Sequence, residues 1–527
     1  MRARASAAMS LNKPSSAPKV RARARLLRAA PPAPPLQTRP SNPPPALPRQ
    51  RVTATLYLTA ALGAIQSMQF GLGVGVPNAP QSVVAADVGV DKAGVAWSIG
   101  VIATFCIAGF LASTVAGGLA DWLGRKRFIV LLNLPFLVAG ALFVAAGLLK
   151  GGAGYALLVV GRVLVGAGAG AAGVVTPMYL GEVATPDTRG AFGALHQFAI
   201  VVLILAVQLA GLAMSTSALW GYLFGTCGAL AALGLLTAPW IIESPRWLAG
   251  KGRVDEARKA LMALRGCEPD EADDEMAEWA RDAPAVARAP LTMGAVLAAP
   301  ALRRALTVAC VLQMTQQFSG INAVFYYSTQ FFEDAGIDGK LGTVLAGAVN
   351  VVATGAAIPL IEYFGRKPLI LAGEGGMLAS VAVIVAALVA KTAQASLAPV
   401  LGPVAIVGVL FFVTFFEVGL GAIPWSIGAE LFPEDSRGSA MAIAAAFNWG
   451  ANTVVGIVFP LMQTALGNYS FLPFAAWLGV ALVYTVARVP ETKGKSPAEL
   501  QRELNAGLEV GAGGDEAAEG LLGSGAL

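Results

Sequence analysis

The sequence predicts an all-α membrane protein, with twelve transmembrane helices in two parallel six-helix repeats. Three observations carry that expectation. The 527 residues are 56% hydrophobic and only 13% charged, against roughly 25% charged for a soluble domain, so the chain has too little polar surface for water. The apolar residues fall into helix-length runs, each able to cross a hydrocarbon layer about 30 Å thick. Charged motifs of the first half return in the second at nearly constant offset.

Residues 1–50 hold eight Arg, two Lys, no acid and a Pro-rich stretch from Pro31 to Pro48. Such a segment cannot bury a core and reads as a disordered basic tail, or alternatively as an organelle transit sequence. Residues 51–242 form a first bundle, with spans one to six near residues 54–76, 94–118, 128–149, 155–178, 192–213 and 218–241. Gly166, Gly168, Gly170 and Gly173 in span four are expected to let helices approach closely. Residues 243–303 are charged and read as a cytoplasmic loop with short helices, for example Val254 to Leu264. Spans seven to twelve follow near residues 304–332, 341–363, 368–390, 399–428, 438–463 and 470–489, within a second bundle over 304–489. Residues 490–527 form a cytoplasmic tail.

Loops after even-numbered spans carry Arg125, Lys126, Arg127, Arg189, the basic residues of 246–288, Arg366, Lys367 and Arg437, whereas the odd loops carry only Lys92, Lys150, Lys340 and Lys391. By the positive-inside rule the even loops and both termini face the cytoplasm. The net charge of +5 therefore marks topology and not a nucleic-acid partner. Asp121-Trp-Leu-Gly-Arg125-Lys126 returns as Glu362-Tyr-Phe-Gly-Arg366-Lys367, an offset of 241 residues. Glu182 before Arg189 returns as Glu430 before Arg437, and Glu243 as Glu491, both offset by 248. An even number of spans separates these copies, so the halves are parallel, which is a transporter plan. Acids and arginines at corresponding helix ends are expected to pair across the halves and close one side. The four cysteines have no metal-ligand spacing, and no nucleophile and base pair, metal cluster or phosphate loop supports an enzyme.

Polar residues inside the spans indicate the ligand. Gln313, Gln316, Gln317 and Gly320 share one face of span seven, and Gln197, Ile200, Val201, Ile204 and Gln208 share one face of span five. With Asn350, Asn448, Asn452 and Trp425 they can line a neutral cavity. Amides donate and accept as hydroxyls do, whereas an anion would call for Arg and a cation for acids. A hydroxyl-rich neutral ligand such as a sugar fits, with an aromatic ring packing on its C–H face. Glu417 and Glu374 are the ionisable candidates for a proton relay. His196 reads as a packing or capping residue. Span one, from Leu56 to Val76, contains no Asp or Glu.

The chain resembles the sugar porters of the major facilitator superfamily, in particular the animal-type facilitative glucose transporters. The resemblance runs over residues 52–500 and rests on Gly75-Val-Pro-Asn-Ala-Pro-Gln81, Pro177-Met-Tyr-Leu-Gly-Glu-Val183, Arg189-Gly-Ala-Phe-Gly-Ala-Leu-His-Gln197, Glu243-Ser-Pro-Arg246, Gln316-Gln-Phe-Ser-Gly-Ile-Asn-Ala-Val-Phe-Tyr-Tyr327, Ile423-Pro-Trp425 and Val489-Pro-Glu-Thr-Lys-Gly494. It implies the major facilitator fold and an alternating-access hexose uniporter, with glucose the expected substrate, without cofactor or metal. The implied partners are a monosaccharide and the lipid bilayer, with the protein a monomer. The implied sugar contacts are Gln197, Gln316, Gln317, Asn322, Asn350, Glu417, Trp425 and Asn448, with Ile200, Val201 and Ile204 on the apolar side. Tyr326 and Tyr327 resemble an outer gate. Glu182, Arg189, Glu430, Arg437, Arg125, Glu362 and Arg366 match a cytoplasmic charge network, to which Glu243 and Arg246 belong by their motif. Leu420 and Ala422 replace prolines that the family carries near the span-ten bend, and Gly73 stands where proton-coupled members carry Asp. That last difference favours facilitated diffusion over the alternatives, a proton-coupled symporter or a non-transporting sugar sensor. The expected location is the plasma membrane, with a plastid or other organelle envelope as the alternative.

Overall fold

In the computed structural model, residues 51–91, 95–282, 291–335 and 338–505 are described; the expectations for residues 1–50 and for the end of the chain beyond 505 lie outside them. Every regular element among the described residues is helical. Among the described residues, eight helices are long and apolar enough to cross a membrane: Val95–Leu123, Arg125–Leu149, Gly151–Val183, Gly190–Met214, Gly339–Phe364, Arg366–Ala393, Pro399–Gly428 and Asp435–Tyr469. They are spans two to five and eight to eleven. Trp220–Leu236 and Leu472–Arg488 are shorter apolar helices that supply spans six and twelve. Spans one and seven are each built from two pieces, Ala54–Gly63 with Ile65–Gly75 and Arg303–Phe318 with Ile321–Ala335. Together these make the twelve-helix integral membrane bundle. Large apolar side chains such as Val352, Leu236 and Val483 are about seven-tenths exposed, as expected for a surface that meets lipid.

The break in span seven departs from the continuous helix expected over residues 304–332. Gly320 has φ +92°, which an L side chain rarely adopts, and a Cβ there would lie 2.5 Å from the Phe474 ring. The chain turns at the one residue that permits it. Span ten is interrupted differently, by a widened π turn over Glu417–Gly421 followed by Ile423–Glu430.

Small residues set the helix spacing. A Cβ on Gly166 would lie 2.2 Å from the Phe105 carbonyl oxygen, one on Gly170 2.1 Å from that of Gly109, and one on Gly168 2.6 Å from the Phe136 ring. Gly173 has no such close neighbour, the nearest atom lying 4.0 Å away, so the close-packing expectation fits three of the four. Between the bundles lie Pro245–Gly250, Val254–Arg265, Pro269–Asp282 and Met293–Ala298. Arg265 anchors this segment, donating to the carbonyls of Val183 at 2.8 Å and Ala184 at 3.2 Å, which are end groups of span four with no helical donor.

Candidate functional site

A cavity with about 520 Å³ of space between atoms lies where the two halves meet. Span one brings Phe70 and Val74 to it, and span five brings Gln197, Ile200, Val201 and Ile204. From the second half come Gln316, Gln317, Ile321, Asn322, Phe325, Asn350, Phe416, Glu417, Trp425 and Asn448. The eleven side chains that the resemblance implies as sugar contacts therefore line one space. The i, i+3, i+4, i+7 spacing on span five puts Gln197 and its aliphatic neighbours on one wall. The break at Gly320 lets Gln316, Gln317 and Asn322 converge from two differently directed pieces of span seven.

The polar wall is already hydrogen-bonded. Asn322 donates to Gln317, Gln317 to Asn448 Oδ1 at 3.0 Å, and Asn448 to Gln316 Oε1 and Gln313 Oε1, both at 2.7 Å. Gln316 Nε2 donates to the carbonyls of Leu420 at 2.8 Å and Gly421 at 2.7 Å. Across the halves, Gln197 Nε2 lies 3.2 and 3.4 Å from the two oxygens of Glu417. Asn350 is fully buried, with neither side-chain amide atom hydrogen-bonded within the protein. Such a wall offers donors and acceptors of similar strength beside an aliphatic and aromatic wall, which suits a hydroxylated ligand with an apolar face.

Not every expected residue reaches the cavity. Gln313 is buried behind Asn448, Asn452 accepts from Tyr326 Oη at 3.3 Å, and Gln208 packs on Gly347. His196 is interior, with Nδ1 2.7 Å from Ser67 Oγ and its ring edge-on to Trp425 at 6.0 Å. It packs and does not cap. Glu374 bonds Thr485 at 3.0 Å between spans nine and twelve, away from the cavity lining.

Contacts between the halves occur on both sides of the cavity. Asn78, just after span one, donates to the Phe325 carbonyl at 2.8 Å, and Tyr326 Oη lies 3.8 Å from Cys106 Sγ of span two. The Tyr327 and Arg189 side chains lie outside the described residues. At the end with the charged loops, Arg125 bonds Glu182 at 2.8 Å and Asp121 at 2.7 Å. Arg366 bonds Glu430 at 2.8 Å. The expectation of pairing across the halves does not hold for these two arginines: each joins helix ends of its own half, because each Gly-Arg turn aims its guanidinium at the end of the next span but one. Glu362 does approach the other half, its carboxylate packing on Gly190 in the first turn of span five. Glu243 and Glu491 play equivalent parts, accepting backbone N–H groups at the start of spans three and nine at 3.0 and 3.1 Å. Burial raises the Glu491 carboxyl, but backbone donors from Lys493, Arg366, Lys367 and Thr492 hold it below its ordinary 4.5. Arg246 sits over the Trp279 ring at 5.0 Å, and Arg437 donates to the Phe432 carbonyl at 3.2 Å.

Sequence reasoning missed the aromatic lining of Phe70, Phe325 and Phe416, since an aromatic in an apolar run carries no signal of facing a ligand. It also passed over Arg162, fully buried in span four. This guanidinium donates to the carbonyls of Val101 at 2.6 Å and Gly73 at 2.7 Å and lies 4.4 Å from the Phe105 ring centre. A lone Arg inside an apolar run was the available signal.

The Sugar (and other) transporter family matches residues 59–504. The facilitated glucose transporter member 4 of Mus musculus is 38% identical over 495 residues, covering 88% of this chain and 95% of the relative. Member 3 of Oryctolagus cuniculus is 35% identical over 468 residues, covering 86% and 93%. Among solved structures, a proton:xylose symporter bound to 6-bromo-6-deoxy-D-glucose superposes with a TM-score of 0.71 at 24% identity, covering 85% of this chain and 99% of that one. An inward open xylose transporter from E. coli gives 0.68 at 25%, covering 85% and 99%.

Proposed function

Because the chain belongs to the Sugar (and other) transporter family, we propose that it carries a hexose, with glucose the first candidate, down its gradient by alternating access. The observation that carries this reading is the cavity between the halves, which gathers an amide wall and an apolar wall. Gln197, Gln316, Gln317, Asn322, Asn350, Asn448 and Glu417 hydrogen-bond the sugar hydroxyls, while Ile200, Ile204 and Trp425 cover its C–H faces. Binding drives the cycle only through contacts that differ between states. The contacts on either side of the cavity are the two gates: Asn78 and Tyr326 on one side, to which the sequence motif adds Tyr327, and on the other the Gln197 to Glu417 bond with the charged helix ends. Those ends comprise Arg125, Glu182, Arg189, Glu243, Arg246, Glu362, Arg366, Glu430 and Arg437.

The choice of uniport over proton symport is supported by span one, which has no acid, and by Arg162, whose Nη1 donates to the Gly73 carbonyl and which has no carboxylate partner among the described residues. Symport through Glu417, which touches the cavity, is the second reading. The protein acts as a monomer in the plasma membrane, its charged loops and both termini cytoplasmic. Uptake of labelled D-glucose into proteoliposomes tests these readings. We expect the sugar to reach equal concentrations on both sides, with or without a proton gradient. Uphill accumulation abolished by a protonophore would replace uniport by symport, and no uptake of any hexose would reject the substrate class.

A further inference from the structure

The amide wall is a one-way chain of hydrogen bonds, and it ends on the interruption of span ten. Leu420 and Gly421 present backbone carbonyls, which only accept, so Gln316 must turn its N–H₂ toward them and its oxygen toward Asn448. That choice sets the orientation of Asn448, then of Gln317 and Asn322. The carbonyls are available for a reason. The residue four after Leu420 is Pro424, which has no N–H to give it, and the π turn over Glu417–Gly421 displaces the regular ladder at this point. Gln316 is 5% exposed, and both N–H groups are occupied at 2.8 and 2.7 Å.

We propose that Gln316 is the clasp of the span-ten hinge, and that two neighbouring sugar hydroxyls work by inserting between its amide and the two carbonyls. This rests on the hexose reading above. One hydroxyl accepts from a Gln316 N–H and donates onward to one carbonyl, and its neighbour on the ring does the same for the other carbonyl, so no group is left bare. The direct contact, however, becomes two hydrogen bonds in series, which separates span seven from the carbonyls by more than 2 Å given ordinary bond lengths of about 2.8 Å. The piece Ile423–Glu430, which holds Trp425 beside the cavity and Glu430 on Arg366, is thereby released. Gln316 is then a positioning residue as well as a sugar contact: it converts occupancy of the cavity into freedom of the segment that reaches the charged end.

Hydrogen exchange of peptides covering residues 417–430, read by mass spectrometry on the full chain in detergent, tests this. The states compared are wild type without sugar, with D-glucose and with L-glucose. In wild type D-glucose should speed exchange in this segment about fivefold, the factor set by the net strength of one hydrogen bond, and L-glucose should not. Gln316→Leu, which cannot donate, should exchange at the faster rate without sugar and gain nothing further from it. Gln316→Met, which keeps the length and has no donor, serves if the leucine variant does not fold. Slower or unchanged exchange in wild type with D-glucose bound, or sugar-free variants matching wild type, would overturn the clasp. Calorimetric titration of the same samples separates the two readings. If D-glucose does not bind wild type at all, the hexose reading fails, while the sugar-free comparison of variant with wild type still decides the clasp.

Discussion

Replacing Gln197 by Leu should open the cavity toward the charged-loop end. Gln197 and Glu417 make a hydrogen bond between the halves on that side, and Glu417 is 1% exposed. Leucine keeps the volume and removes the donor. A hydrogen bond to a charged group contributes about 1.5 to 3 kcal/mol, and at 3.2 and 3.4 Å this one belongs at the lower limit, about 1.5 kcal/mol. In the closed form Glu417 also loses a partner inside a buried site, while in the open form water replaces it. The ratio of open to closed molecules should therefore rise at least about tenfold. Trp122 and Tyr363 are 75% and 76% exposed, lie at that end, and occupy equivalent repeat positions in opposite halves. Spin labels introduced at both, with Cys267 replaced, report the ratio as two distance populations. An unchanged distribution would refute the assignment of this bond to the gate, even if D-glucose binding weakened.

Gly170→Ala forces a methyl to 2.1 Å from the Gly109 carbonyl; it should cost about 1 to 3 kcal/mol and lower the melting temperature of the solubilised protein, whereas Gly181→Ala, which meets nothing within 4 Å, should not. The depressed Glu491 carboxyl contributes stability that is fully present above its ordinary value near 4.5 and is lost as pH falls through the lower folded value. Thermal stability followed from pH 7 to 3 should fall below about pH 4.5, and less steeply for Glu491→Gln, so identical profiles would count against the clamp at the start of span nine. Deleting residues 1–49 should leave surface expression and glucose uptake intact, because the cavity and the topology-setting charges lie downstream; import into an organelle of a fluorescent reporter carrying residues 1–50 would instead identify a transit sequence.

Much of the architecture was legible because membrane insertion imposes a simple code. Run length against hydrocarbon thickness yields the spans, and repeated Gly-Arg turns reveal the duplicated halves. The polar content of the site was equally legible, since a buried amide row in an apolar bundle is costly unless it has partners. Helical periodicity correctly put Gln197, Ile200 and Ile204 on one wall. It overreached at Gln313 and Gln208, which share those faces yet lie off the cavity, and it cannot be continued past Gly320, because a positive-φ glycine resets the phase of the face and the pattern of apolar residues does not record that turn.

What only the tertiary structure decided is who holds whom. Arg125 and Arg366 could pair within or between halves as far as sequence spacing goes, and packing aims both inward to their own half. Gln316 and Gln317 are neighbours of the same type, yet one faces the span-ten carbonyls and the other an asparagine of span eleven. Arg162 looks expensive in a sequence and is held in space by two carbonyls and a ring, with only its Nη2 left without a hydrogen bond. Composition and periodicity determine that a group is buried, because burial depends on hydropathy summed over a helix. Its partner depends on distances of a few tenths of an ångström between segments far apart in the chain, which only the folded packing sets.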